Sequence, residues 1–126
     1  MVGVEIVLVL VLAEYEILGL MAGRARFKYK VPAPAIVGHP VFERYYRVHQ
    51  NTLEQLMVFV PSLILFGLYV SPRAAQVLGI LFLIARLAYA ITYVHDPERR
   101  YYGAAPTLAI NMTLVLGSLI GLLHAV

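Results

Sequence analysis

The sequence predicts an all-α integral membrane protein, a bundle of four transmembrane helices, and three observations support this fold class. The 126 residues are 61% hydrophobic and only 13% charged, which is more apolar than a soluble domain of this length. The apolar residues fall into four stretches long enough to cross a bilayer. No strand-like alternation of polar and apolar residues interrupts them. We therefore expect residues 1–126 to form a single four-helix membrane domain.

The four spans are predicted at residues 2–22, 41–70, 74–94 and 104–126. The first span lacks a basic leader and an A-x-A-like cleavage site, so we expect it to be retained as a membrane helix. A proline-rich loop follows it at residues 31–40. Ser71 and Pro72 make a tight connection before span three, with the proline near the first helical position. A polar stretch at residues 95–100 follows span three.

Charge is confined mainly to the loops and the ends of the spans. Ten lysines and arginines outnumber seven acidic residues, and basic clusters follow spans one and three. The positive-inside rule assigns both of these loops to the cytoplasm, which explains the net charge of +3 better than nucleic-acid binding does. The chain has no cysteine, which excludes a thiolate nucleophile and disulfides. No histidine pair has metal-ligand spacing, so no metal site is expected.

Three polar residues near the start of span two share one helix face. Arg47, Asn51 and Glu54 are spaced i, i+4 and i+7, so a helix places them within roughly 60° of one another. Charged groups at bilayer depth are costly, and they usually face a bundle interior, a partner or a polar ligand. This face therefore indicates a binding site near the cytoplasmic end of span two.

Span three carries a second polar face that reaches the same membrane surface. Arg86, Tyr89 and Tyr93 lie within about 60° around an ideal helix axis, and Arg100 joins them if the helix continues. Arginine pairs bidentately with carboxylates, a glutamate can hold an ammonium group, and phenols donate hydrogen bonds. The two faces together suit a ligand with carboxylates, an amine and a polarisable group.

A purely structural interpretation of these residues is also open. Arg47 and Glu54 could neutralise each other between helices, and the two tyrosines of span three could anchor the helix in the aromatic belt of the membrane. The acidic residues of span one, Glu14 and Glu16, lie near the middle of the bilayer. We expect one of them to pair with Arg86, inside the bundle or across an interface between copies, because an unpaired carboxylate would be costly there.

At these residues the chain resembles the MAPEG family, the membrane-associated proteins of eicosanoid and glutathione metabolism. Residues 43–54, ERYYRVHQNTLE, are similar to the family's E-R-x-x-R-x-x-x-N-x-x-E signature on its second helix. Residues 85–93, ARLAYAITY, are similar to its A-R-x-x-Y-x-x-x-Y on the third helix. Residues 25–31 resemble the end of the first helix in microsomal glutathione transferases, and residues 96–100 resemble prokaryotic members. The resemblance covers nearly the whole chain.

This resemblance implies a homotrimer that binds glutathione between neighbouring protomers, near the cytoplasmic face. By position, the glutathione-binding residues would be Arg26, Arg47, Asn51, Glu54, Tyr89 and Tyr93. Arg100 matches the arginine near the sulfur in leukotriene-C synthase and would be the catalytic residue. The expected activity is a glutathione S-transferase acting on a hydrophobic electrophile in detoxification, with glutathione peroxidase activity toward a lipid hydroperoxide as a further expectation. The expected location is a prokaryotic cell (inner) membrane.

The chain also departs from the family pattern. Pro97 lies between Tyr93 and Arg100, and a proline tends to break or kink a helix, so Arg99 is a rival for the position near the sulfur. Gln55 stands where several relatives carry an aromatic residue, and Phe27 replaces a basic residue of some relatives.

Two other functions compete with the enzyme. One is a non-catalytic lipid-binding scaffold of the same family, which lacks a complete set of glutathione-binding residues. The other is a small transporter subunit, which would need a continuous polar pathway across the membrane. The charged positions of this chain instead gather at one end of the spans. The sequence does not identify the electrophile.

Overall fold

The structure, a computed structural model, describes all 126 residues, most of which form four long helices. They are α1 (Val2–Lys28), α2 (Pro40–Tyr69), α3 (Pro72–His95) and α4 (Tyr101–Ala125), and a short 3-10 helix, Pro97–Arg99, joins the last two. Each of the four helices is long and apolar enough to cross a membrane. Consecutive helices run in opposite directions, so the end of α1, the start of α2, the end of α3 and the start of α4 share one end of the bundle.

Proline and a capping side chain begin two of the helices. At α2, Pro40 takes an initial position and Nδ1 of His39 accepts a hydrogen bond from the Val41 N–H at 3.2 Å. At α3, Pro72 plays the same part, and the Ser71 hydroxyl oxygen accepts from the Ala74 N–H at 3.2 Å. Both arrangements satisfy a backbone donor that a helix start leaves free.

Local features of the sequence set the ends of α1 and α3, and α4 begins at Tyr101 instead of residue 104. Helix α1 continues past residue 22 to Lys28, because its basic last turns are made of good helix formers and project beyond the apolar stretch. Lys30, with φ of 56°, then turns the chain into the loop. Helix α3 ends at His95, because Asp96 is extended and Pro97 follows it.

The core lies between α2 and α3, each of which packs against all three other helices. Helices α1 and α4 flank this central pair from different sides and hardly contact each other. The rings of Phe59 and Phe82 stack at the centre with centroids 3.8 Å apart, and both side chains are fully buried. Val11 and Leu114 close the same cluster from the two flanking helices. This packing holds the polar residues of α2 and α3 at one end of the bundle.

Candidate functional site

The candidate site lies at the end of the bundle where α2 begins and α3 ends. The Arg44 guanidinium donates to the backbone carbonyl of Val94 at 3.0 Å, which ties the two helix ends together. The polar faces predicted for these two helices therefore reach the same end of the molecule.

A buried arginine joins the two polar faces below this end. Arg86 is 1% exposed, and its Nη2 donates to Oδ1 of Asn51 at 2.7 Å and to Oγ1 of Thr52 at 3.0 Å. Its Nη1 donates to Oγ1 of Thr107 on α4 at 3.4 Å. The guanidinium carbon lies 4.3 Å from the centroid of the Tyr89 ring, a cation–π contact. One side chain thus holds Asn51 and Tyr89 in fixed relative positions.

The two tyrosines of α3 continue this chain of contacts toward the membrane surface. Tyr89 is buried, and its ring stacks on that of Tyr93 with centroids 5.5 Å apart. Arg47, Arg86 and Arg100 all lie within electrostatic range of the Tyr89 hydroxyl. Cations from α2, from α3 and from the residue before α4 therefore lie near the Tyr89 hydroxyl.

The outer members of the α2 face are open to the surroundings. Arg47 and Glu54 are both exposed, and the single ion pair of the chain joins Arg99 to Asp96. Arg47 and Glu54 therefore do not neutralise each other within one chain. Their charges remain available to a ligand or to a second copy of the protein.

Arg100 and Arg99 differ in their surroundings. Helix α3 does not continue through Pro97, so Arg100 precedes α4 instead of extending the α3 face. Its guanidinium carbon lies 5.5 Å from the Tyr101 ring centroid, and it has no carboxylate partner. Nε of Arg99 lies 3.9 Å from a carboxylate oxygen of Asp96. Of the two arginines, Arg100 is the one with an uncompensated charge.

Arg26 stands apart from this cluster within the single chain. Its Nη1 donates to the carbonyls of Ala35 at 2.7 Å and Val31 at 3.4 Å, and the guanidinium lies 4.6 Å from the Phe42 ring centroid. These contacts hold the loop between α1 and α2. No hydrogen bond or ion pair connects Arg26 to the other predicted ligands in its own chain.

Within one chain, the expected ion pair between Arg86 and an acidic residue of α1 does not form. A pair across an interface between copies stays a prediction. Arg86 uses neutral oxygens of α2 and α4, which can approach its donors more closely than a carboxylate of α1 does. Glu14 lies within electrostatic range of Arg86. However, Oε1 of Glu14 and Nε of Arg86 are both buried without a hydrogen-bond partner. Glu16 is exposed. The two charges attract each other across a gap.

Sequence reasoning missed the polar residues of α4 that complete the network. Thr107 accepts from Arg86, and the Asn111 amide donates to Oε1 of Gln55 at 3.0 Å. Gln55, which departs from the family pattern, thus links α2 to α4. A signal was present, since Thr107, Asn111 and Ser118 are buried polar residues on one face of an otherwise apolar helix.

In the single chain the polar end forms an open surface instead of a closed cleft. The three main cavities of the chain are not lined by Arg47, Asn51 or Glu54. The side chains at this end offer exposed guanidinium and carboxylate groups, together with a partly buried amide and the phenols of Tyr89 and Tyr93. Such a surface can bind an anionic peptide and stabilise a developing negative charge. No group of acidic or histidine side chains suited to a metal ion occurs in the chain.

Comparison with known proteins assigns this arrangement to a family. The model of the MAPEG family matches residues 4–120, a range that contains every predicted site residue, all of α2 and α3, and most of α1 and α4.

Individual relatives agree with this match. An uncharacterized protein of Synechocystis sp. is 44% identical over 109 residues, covering 86% of this chain and 80% of the relative. Human microsomal glutathione S-transferase 2 is 34% identical over 106 residues, covering 84% and 72% of the two chains. Leukotriene C4 synthase of Cavia porcellus is 33% identical over 94 residues, covering 72% and 63%.

Proposed function

Because the chain belongs to the MAPEG family, we propose that it is a membrane-bound glutathione transferase, which activates the glutathione thiolate for attack on hydrophobic electrophiles. The observation that carries this proposal is the convergence of three arginines and two stacked tyrosines where α2 begins and α3 ends. Similarity to microsomal glutathione S-transferase 2 and to leukotriene C4 synthase supports the same chemistry.

The exposed groups of α2 match the functional groups of glutathione. This tripeptide carries two carboxylates, an ammonium group, two amides and a thiol. Exposed Arg47 can pair bidentately with a carboxylate, and exposed Glu54 can hold the ammonium group. Asn51 lies between them along the helix, with its amide oriented by Arg86 at 2.7 Å. Tyr89 and Tyr93 add hydroxyl donors from α3.

Arg100 is suited to stabilise the reacting sulfur. A free thiol with a pKa of about 8.5 is mostly protonated at neutral pH, and only the thiolate is a good nucleophile. A nearby guanidinium lowers the pKa of a thiol by favouring its anion. A decrease of one to two units requires about 1.4–2.7 kcal/mol. One uncompensated arginine can supply this amount if a neighbouring protomer covers the open surface and excludes part of the water.

The start of α4 reinforces this effect. Arg100 is the residue that precedes this 25-residue helix, and no side chain caps its first turn. The unpaired N–H groups of a helix start carry partial positive charge, which lowers the pKa of a thiol placed beside them. Guanidinium and helix end thus act on the sulfur in the same direction.

The second substrate would arrive from the bilayer. Thiolate attack on an electrophilic carbon forms the carbon–sulfur bond of a thioether. The same step breaks the bond from that carbon to a leaving group or, where the carbon belongs to a strained ring, opens that ring. Attack on the terminal oxygen of a lipid hydroperoxide would instead break the O–O bond, releasing the alcohol and leaving glutathione sulfenic acid. A second glutathione would convert this acid to glutathione disulfide and water. The transferase is our proposal, with peroxidase chemistry as its extension at the same sulfur.

A homotrimer would complete the open surface. Arg26 does not reach the cluster of its own chain, but it lies at the same end of the bundle and could reach the cluster of a neighbour. The many exposed apolar side chains leave room for both lipid and protein contacts. We place this polar end at the cytoplasmic side of a prokaryotic inner membrane, following the basic loops.

Thiolate absorbance in the ultraviolet tests the proposal directly. Purified protein in detergent, mixed with glutathione at neutral pH, should show the thiolate band, and it should conjugate glutathione to chlorodinitrobenzene. Arg100→Ala should lose the band and about 10- to 100-fold in turnover, which corresponds to about 1.4–2.7 kcal/mol. Calorimetric titration should show that this variant still binds glutathione through α2.

Arg99→Ala is the matched control. Arg99 is the cation next to Arg100 in the sequence, and its charge is compensated by Asp96. It should keep the thiolate band and the turnover of the native protein. Absence of a thiolate band in the native protein, or an undiminished band in Arg100→Ala, contradicts the assignment. Absence of any glutathione binding would remove the transferase proposal altogether.

A further inference from the structure

A long apolar groove runs between α1 and α3, on a face that the proposed glutathione site does not use. Its volume is about 480 Å³, and 12 of its 14 lining residues are hydrophobic. Buried Leu18, Val48 and Ala90 form its floor, and half-exposed Ile17 and Leu87 form its rim. Because both helices are long enough to cross a membrane, the rim opens toward the acyl chains of the lipid.

A basic pocket continues the groove at the polar end of the bundle. This pocket of about 230 Å³ contains Arg24, Lys28, Tyr29 and Tyr45 among its lining residues. Met21 and Tyr45 line both the pocket and the groove, so the two spaces adjoin. The pocket has two cations and two phenols, and no acidic residue lines it. An apolar channel therefore leads into a site complementary to an anion.

The dimensions match one leaflet of a bilayer. The groove follows α1 from Leu10 to Met21, a length of about 16 Å at the rise of an α-helix. Half of a hydrocarbon core of about 30 Å is about 15 Å. The basic pocket follows about one helical turn beyond Met21, at the depth where lipid headgroups lie.

We propose that groove and pocket together bind one anionic phospholipid. Arg24 and Lys28 hold the phosphate, the phenols of Tyr29 and Tyr45 donate to its oxygens, and one acyl chain fills the groove. The second chain stays in the surrounding bilayer. Arginine and lysine clusters at this depth attract anionic headgroups, and basic pockets between membrane helices bind them specifically.

Glu14 is the one acidic group in the groove, and it does not oppose this assignment. Its Oε1 is buried, and the carboxylate lies within electrostatic range of the Arg86 cation. Ten residues separate Glu14 from Arg24, about 15 Å along the helix. The headgroup is therefore far from the carboxylate, and only the apolar chain passes beside it.

Lipid retention during purification tests the proposal. The full chain is purified in detergent from vesicles containing equal amounts of phosphatidylglycerol and phosphatidylcholine, and retained lipid is identified by native mass spectrometry. We expect stoichiometric phosphatidylglycerol and little phosphatidylcholine. Thermal unfolding in mixed micelles should shift upward with phosphatidylglycerol only. Parallel samples contain inorganic phosphate alone or oleate alone, which distinguishes the effect of the headgroup from that of the acyl chain. Neither should give the full shift in unfolding temperature.

Two independent changes should reduce retention roughly tenfold. Arg24→Gln combined with Lys28→Gln removes the cations, and Ala13→Trp fills the groove from its exposed α1 rim. Arg73→Gln, which removes an exposed cation at the other end of the bundle, is the control and should retain lipid normally. Thermal unfolding in plain detergent shows which variants fold, and a folded Arg24→Lys variant should retain lipid.

Several results would overturn the inference. Equal retention of both phospholipids would show that no anion site exists. Full protection by phosphate alone or by oleate would assign the site to a free anion or to a fatty acid. Normal retention by both variants would place the lipid elsewhere. A changed oligomeric mass in Ala13→Trp, without loss of lipid, would show that a second copy covers the groove.

Discussion

Arg86 supports both the packing of the bundle and the proposed glutathione site. Its buried guanidinium donates to oxygens of Asn51, Thr52 and Thr107 and stacks on the ring of Tyr89. A cation in an apolar interior is costly unless most of its donors have partners, and both terminal nitrogens of Arg86 have them. These partners include two residues expected to contact glutathione, so Arg86 acts as a positioning residue.

We expect Arg86→Met to fold, because methionine fills much of the same space without a buried charge. The variant should bind glutathione roughly tenfold more weakly, a loss of about 1.4 kcal/mol, because Asn51 and Tyr89 lose the group that orients them. Calorimetric titration measures the affinity. Steady-state kinetics should show a raised KM for glutathione with a smaller change in kcat.

Thr113→Val provides the control for this variant. The Thr113 hydroxyl is exposed and donates only to a carbonyl of its own helix, that of Ala109 at 2.8 Å. This change should leave both glutathione affinity and thermal stability unchanged. If Arg86→Met binds glutathione as tightly as the native protein, the positioning role is wrong.

At the scale of elements, a close crossing of α3 and α4 sets the position of Tyr89. Gly103 lies against the backbone of Tyr89, and a Cβ at this position would meet the backbone N and Cα of that residue. The backbone of a packed helix cannot yield as a flexible side chain does. Glycine is therefore required here by the distance between the helices.

We expect Gly103→Ala to destabilise the protein by about 1–3 kcal/mol, the usual cost of overpacking. Unfolding in detergent with increasing denaturant measures this loss. Gly23→Ala is the matched control, because nothing lies within 4 Å of a Cβ placed there. It should leave stability unchanged or raise it by about 0.5–1 kcal/mol, since alanine favours a helix interior. Equal stability of the two variants would contradict the importance of this crossing.

At the scale of the whole molecule, the proposed glutathione site is incomplete in a single chain. Arg47 and Glu54 are exposed, while Arg26 is occupied by its own loop. A homotrimer of the kind that we propose would bring Arg26 of one copy toward the α2 face of another. Both arginines would then contribute to one site from different chains.

Mixing two defective chains tests this arrangement. Arg26→Ala and Arg47→Ala should each have little transferase activity when expressed alone. Co-expressed in equal amounts, they should recover about a quarter of the native activity, since random assembly gives that share of sites with both arginines intact. Conjugation of chlorodinitrobenzene by the purified mixture measures the recovery.

A control separates assembly in the cell from simple mixing. The two variants are purified separately and combined in detergent without exchange of chains, and this sample should stay inactive. No recovery on co-expression would show that each chain uses its own Arg26, or that this residue serves only to hold the loop between α1 and α2.

The predicted helical faces placed Asn51, Tyr89 and Tyr93 in one region, because a helix of known period fixes which residues share a side. The same reasoning could not reveal that Arg86 turns to Thr107 instead of Glu14. That choice depends on which helix approaches the guanidinium, and therefore on packing between residues distant in the chain. Pro97 indicated a break, but not where Arg100 would lie after it.

The sequence by itself determined the number of helices, their apolar character and the polar end of the bundle, because hydrophobicity and helical period are local properties of the chain. Tertiary structure alone decided the partners of Arg86, the close crossing at Gly103 and the groove beside α1. These features arise where side chains from different helices meet, and their distances depend on how the whole bundle packs.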